Sequence, residues 1–211
     1  MKKILVLLIL GIIFSSNTEA KKIDGQILFD NDTVDVIFKI PVDFLTQEIN
    51  YTGLQYKVKY IDSTGKKKKL LPDDAREIRF SFDYENIRML SRKNTVDIGN
   101  IFSGANHIFL KIKIDGKLKL FEYHYTQSEP AMRTGASGGV PVSVGMSYPV
   151  EKYVLQKNGE ELKRPKELTF RKDMTTYFSD CSVLSQKIEE KEYKKRDLES
   201  IVRFYNSNCG E

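Results

Sequence analysis

HIFLKIKIDGKLKLFEYHY, His107 to Tyr125, is the stretch whose pattern decides the fold. Ile108, Leu110, Ile112 and Ile114 recur at every second position, the period of a strand with one buried face. Asp115-Gly116 supplies a turn signal between two such runs. Register then discriminates between turns. A two-residue loop would pair Ile112 with Lys119 and mix apolar with polar positions. A three-residue loop, Asp115-Gly116-Lys117, pairs Ile114 with Leu118 and Ile112 with Leu120. The spacing therefore predicts a glycine bulge in the turn. Beyond Leu120 the apolar positions move to Phe121, Tyr123 and Tyr125, which predicts a second irregularity.

The same period of two extends outward in both directions. Val34, Val36, Phe38 and Ile40 alternate with Thr33, Asp35 and Lys39. Tyr56, Val58 and Tyr60 alternate with Gln55, Lys57 and Lys59, and Ile78, Phe80 and Phe82 with Glu77, Arg79 and Ser81. Pro41 marks the expected stop of the second strand, since proline cannot donate to a ladder. Asp30-Asn31-Asp32, Ser63-Thr64-Gly65 and Asn158-Gly159 mark turns. A last hairpin is expected from Tyr153–Gln156 and Glu161–Lys163. Residues 126–147, rich in Gly, Ser and Pro, read as one long loop. From Thr169 the period becomes helical. Met174, Tyr177, Phe178 and Cys181 fall at i, i+3, i+4 and i+7, and Leu198, Ile201, Val202 and Tyr205 repeat that spacing. Between them, Leu184 and Ile188 mark a short helix that Ser179 or Asp180 is expected to cap. The predicted class is α+β, mainly β. An antiparallel sheet, sandwich or partly open barrel spans residues 21–168, and a small C-terminal helical tail spans 169–211.

The first twenty residues carry the address. Lys2 and Lys3 precede an apolar run from Ile4 to Phe14, and the polar stretch after it ends in Thr18-Glu19-Ala20. This is the layout of a secretory signal peptide over residues 1–20, cut after Ala20. The run is short of the ~20 residues that span a bilayer. Cleavage removes Lys2, Lys3 and Glu19, so the net charge of +5 becomes +4. In an exported chain, Cys181 and Cys209 read as one disulfide. A loop of that length corresponds to roughly 3 to 4 kcal/mol in the chain-entropy model.

Charge and motifs exclude more than they assign. The basic excess is mild and interleaved with acids, unlike a nucleic-acid face. The one basic run, Lys66-Lys67-Lys68-Lys69, follows a turn and reads as a solvated hairpin end. There is no phosphate loop and no dinucleotide fingerprint. Gly135-Ala136-Ser137-Gly138-Gly139 matches the nucleophile-elbow pattern in letters only. The strand before it and the helix after it are missing, and His107 and His124 both precede Ser137. Those two histidines are the imidazole candidates. A metal site built on them needs a third ligand such as Glu122 or Asp97, with no recognisable spacing. They read as polar residues on a β surface, so no metal, cofactor or catalytic residue is assigned. The binding candidates are Tyr123, Tyr125 and Tyr148, taken as exposed tyrosines beside the Gly-rich loop, together with Arg133.

Three stretches carry a resemblance. They are Asp24 to Phe29 leading into Val34 to Ile40, Leu54 to Tyr60 with Gly65-Lys66-Lys67 and Leu71 to Ile78, and Phe178 to Cys181 with Asp197 to Cys209. In these the mature chain resembles an uncharacterised group of exported, periplasmic proteins from Gram-negative bacteria of the Bacteroidetes type. The resemblance implies a β-rich envelope module with a cysteine-to-cysteine helical ending, and carries no catalytic residues. The expected function is that of an exported, periplasmic or secreted, non-enzymatic binding or structural protein. Its expected partner is an envelope protein or glycan. The alternative is a hydrolase of an envelope polymer, with His107 or His124 as base.

Overall fold

The computed structural model describes residues 19–96, 105–129 and 146–209. Nine strands form one antiparallel sheet. In chain order they are β1 (Glu19–Leu28), β2 (Thr33–Val42), β3 (Val58–Ile61), β4 (Lys67–Leu70), β5 (Glu77–Phe82), β6 (Glu85–Lys93), β7 (His107–Ile114), β8 (Leu118–Glu129) and β9 (Met146–Lys157). Their order across the sheet is β4-β3-β2-β1-β5-β6-β7-β8-β9. A single-turn helix, α1 (Tyr51–Leu54), links β2 to β3. The tail comprises α2 (Phe170–Tyr177), α3 (Ser182–Glu189) and α4 (Leu198–Asn208). The α+β, mainly β class is thus observed as an open antiparallel sheet with a helical end.

The alternating runs become strands because each has an apolar face to bury. Val36, Phe38 and Ile40 of β2 join Ile78 and Phe80 of β5 in one core. The rings of Phe38 and Phe80 meet edge to face at 5.8 Å. Pro41 does not stop β2, which continues to Val42, with Pro41 opposite Ala20. Its carbonyl accepts from the Asn50 amide, on the side away from β1. A residue's N–H and C=O point to the same side of a strand, so the proline removes no donor from the β1 ladder. Gly65 takes the expected turn, with φ at +80°, and the Asp62 carboxylate accepts from the Thr64 and Lys66 amides. Lys68 pairs with Asp62. The expected last hairpin contracts to a single bridge, Leu155 opposite Lys163.

The β7–β8 turn departs from the sequence-based register. Ile114 lies opposite Leu120, not Leu118, and Ile112 lies opposite Phe121, not Leu120. One irregularity, between Ile112 and Ile114, absorbs both the turn and the phase slip. It sits in β7 rather than in the turn or in β8. Gly116 is not in the left-handed region. It is needed because a Cβ there would collide with the Asn206 side chain. The bulge sorts Ile114, Leu118 and Leu120 into the core under the tail, while Leu110, Phe121 and Tyr123 join another.

The β7–β8 ladder is short, and a carboxamide finishes each end. Leu118 N–H donates to Asn206 Oδ1 at 2.8 Å, and Asn206 Nδ2 donates back to Leu118 C=O at 2.9 Å. At the other end His124 N–H donates to Gln55 Oε1 at 2.7 Å, and Gln55 Nε2 donates to His124 C=O at 2.6 Å. The Gln55 carbonyl also accepts from Phe109 N–H of β7 at 2.9 Å. Gln55 follows α1, between β2 and β3, yet β2 lies four places from β7 in the sheet order. Contact across that gap requires the sheet to curl. Gln55, 0% exposed, is the wedge between β7 and β8 at the closing seam.

Tail helices pack through Phe170, Met174, Phe178, Leu184, Ile188, Leu198, Ile201 and Val202 onto Ile114, Leu118, Leu120 and Leu155. Cys181 and Cys209 are disulfide-bonded, with Cα atoms 5.4 Å apart. Neither Ser179 nor Asp180 caps α3, whose N-cap position is Cys181. Asp180 instead accepts from Lys157 and from the Tyr205 hydroxyl, both at 2.6 Å. No helix among the described residues is long and apolar enough to cross a membrane.

Replacing Gln55 by Leu strands two buried backbone groups of His124. Urea denaturation should show a loss of about 2–6 kcal/mol, from roughly 1–3 kcal/mol per orphaned group. A loss below about 1 kcal/mol would show that the seam does not depend on this side chain. Alkylation of the denatured, unreduced protein should label neither cysteine, and prior reduction should yield two labels.

Candidate functional site

Past Glu122, β8 parts from β7 and continues with β9 alone. Side chains two apart on a strand share a face, so Glu122 and His124 project together. The β8–β9 register places Glu151 directly opposite His124. Three potential ligand atoms, one each from Glu122, His124 and Glu151, all lie within 4.8 Å of one another. Gln55 grips the His124 backbone from below, and the Tyr51 ring stacks on its imidazole at 4.7 Å and 20°. The imidazole is 14% exposed, and its Nε2 is buried with no hydrogen-bond partner. Glu122 Oε2 stands 3.8 Å from that nitrogen, too far for a hydrogen bond.

Two lysines approach Glu122 from β7. Lys111 Nζ is 3.3 Å from it and 2.9 Å from Glu85, and Lys113 Nζ is 3.2 Å away. Burial opposes ionisation of Glu122. The nearby His124 imidazole and the two lysines outweigh it and hold the carboxyl at about 2. Burial pushes the Tyr51 phenol up to about 12, against the pull of Lys111, so it remains protonated at neutral pH.

These residues form one wall of a cleft of about 510 Å³, completed by Glu48, Phe82, Asp83, Glu85 and Val150. Five carboxylates line it against one lysine, Lys111. Two turns edge its mouth. In the β5–β6 hairpin, Phe82 pairs with Glu85 around Asp83-Tyr84, with φ at +46° and +65°. In the loop after β2, Gln47 has φ at +59°. Of the four non-glycine residues with positive φ among those described, these are three. Tyr84 is fully exposed, as are most of Phe44 and Leu45.

The sequence-based candidates divide. Tyr123 is not an exposed contact residue. It is 3% exposed, packed in the β6–β9 core and stacked on Tyr125 at 5.8 Å. The face of β8 that lines the cleft is the opposite one, carrying Glu122 and His124. Tyr125 is half-buried. Tyr148 pairs with Gln127, so 126–129 and 146–147 are strand rather than loop. Arg133, Ser137, Asp97 and the glycines of the loop lie outside the described residues. His107 does not meet His124. Its Nδ1 lies 2.5 Å from Asp73, while His124 joins Glu122 and Glu151. Glu151 escaped sequence reading because the sequence pattern pairs the last strand with Glu161–Lys163, whereas β9 pairs with β8 along its whole length. A loop drawn from 126 to 147 conceals that. No family model, curated protein or solved structure matches the chain.

Glu122 makes stability acid-sensitive in a defined window. Its carboxyl is held at about 2 in the fold, against 4.5 for the ordinary group. The stability its ionised form contributes is complete above the higher value and is lost as pH falls toward the lower. Glu122→Gln should therefore be less stable than the native chain at neutral pH. Urea titrations should show the difference shrinking as pH drops from about 5 to about 2.5. A pH-independent difference would refute this account.

Proposed function

We propose that the protein is an exported binding protein, and that the acidic cleft where β8 parts from β7 receives a basic group of an envelope partner. The observation that carries this reading is the excess of carboxylates in that cleft, on a chain whose net charge is positive. A basic ligand is repelled by the net charge of the molecule and attracted by this cleft. The Tyr51 ring is already engaged by His124 and by Lys111 at 5.1 Å, and the Phe82 ring by Lys21 at 5.0 Å, so the attraction rests on the carboxylates. Tyr84 sits at a turn position that favours asparagine or glycine, at a cost on the order of 1 kcal/mol. Its side chain buries nothing in return, which fits a ring kept for contact with a partner. Export rests on the N-terminal pattern, and the Cys181–Cys209 bond suits an oxidising compartment.

Fluorescence anisotropy with a labelled Lys/Arg peptide tests the reading. Binding should weaken with salt and fall about tenfold in Asp83→Asn/Glu85→Gln, with a Glu-rich peptide not binding. Tyr84→Gly should raise stability by about 1 kcal/mol while weakening the same binding. Equal affinity for both peptides, or none for either, would overturn the proposal.

A further inference from the structure

We infer that the inner wall of this cleft is a site for one divalent transition-metal ion of the zinc class, bound by His124 Nε2 and the carboxylates of Glu122 and Glu151. The inference rests on the reading of the cleft as the binding site and commits its inner wall to a metal.

The donor set is that of a borderline divalent cation: one imidazole nitrogen and two carboxylates, gathered within 4.8 Å. Acidic residues alone would not distinguish such a site from a solvated surface. The histidine does, because its Nε2 is buried, has no hydrogen-bond partner and stands 3.8 Å from Glu122 Oε2. A buried ring nitrogen without a partner is costly, and a metal ion satisfies it. The surroundings hold the donors in place. Gln55 pins the His124 backbone through both its N–H and C=O, and Tyr51 fixes the plane of the ring by stacking. Glu151 is exposed on the edge strand and gives the ion its approach.

Lys111 is the competitor. It shares Glu122 with the site but lies closer to Glu85, at 2.9 Å against 3.3 Å. Ligation requires it to give up Glu122 and keep Glu85. Lys113 approaches Glu122 through Oε1, whereas Oε2 is the oxygen facing His124. Three protein donors leave coordination positions for water or a ligand donor, as in open zinc sites.

Isothermal titration of the chelator-stripped, oxidised protein with Zn²⁺ tests this, together with the visible absorption of the Co²⁺-loaded form. One ion per chain is expected. His124→Ala should weaken binding on the order of 100-fold and abolish the cobalt spectrum. Glu151→Gln, on the exposed edge strand, should weaken binding at least about tenfold. Lys111→Met, which removes the competing cation, should tighten it. His107→Ala should change nothing. Undetectable zinc binding, or affinity unchanged by Glu151→Gln, overturns the metal site even where His124→Ala fails to fold. If the Lys/Arg peptide still binds then, the cleft stands as a binding site without metal. Loss of both removes the cleft as well.

Discussion

The structure depends on how the edge of β8 is completed. A strand pairs along its length only while its neighbour stays alongside, and β7 does so for a few residues. Beyond that ladder, Leu118 at one end and His124 at the other would each leave a buried N–H and C=O without partners. Asn206 and Gln55 answer both with the same chemistry, since a carboxamide presents one donor and one acceptor as a peptide group does. One carboxamide comes from the last helix and the other from the link between β2 and β3. Each ties a distant part of the chain to β8. The Asn206 clamp docks the tail where Gly116 leaves room for it. The Gln55 clamp closes the curl of the sheet.

The cleft follows from the second clamp. Because Gln55 occupies the place of a strand neighbour, β8 and β9 leave the sheet as a two-stranded arm. Their inner face then meets α1 and the β5–β6 turn rather than another strand. Glu122 stands at that junction, on the last rung of the β7–β8 ladder and on the wall of the cleft. Its charge is secured from β7 by lysines and offered to the cleft beside His124. The same residue therefore serves stability and the site, which is why its protonation affects both.

Much of the architecture was legible from periodicity. The runs in β2, β5, β7 and β8 are strands because their apolar residues have one face to bury. The helical spacing of the tail holds for the same reason, and the even cysteine count does become a disulfide. Pro41 and the β7–β8 turn were misread because their outcome depends on neighbours. Proline is tolerated where its missing N–H faces away from the ladder, and a bulge goes where the two cores need opposite phases. Within the site, His124 and Glu122 could be named from the sequence as neighbours on one strand face. Glu151 and Gln55 could not, because a register and a curl place them there.

By itself the sequence determined the class of the fold, the strands β2, β3, β5, β7 and β8, the helical end with its cysteine pair, and the pattern of an export signal. These are local properties, set by side-chain period, turn chemistry and composition within a few residues. Tertiary structure alone decided which face of β8 is buried, that Tyr123 lies inside, and that three charged or imidazole groups meet beside Tyr51. Those outcomes rest on contacts such as Gln55 to His124, 69 residues apart, and Asn206 to Leu118, 88 apart. No local pattern encodes such a contact. It forms because a buried N–H and C=O must find partners, and the fold brings only these within reach.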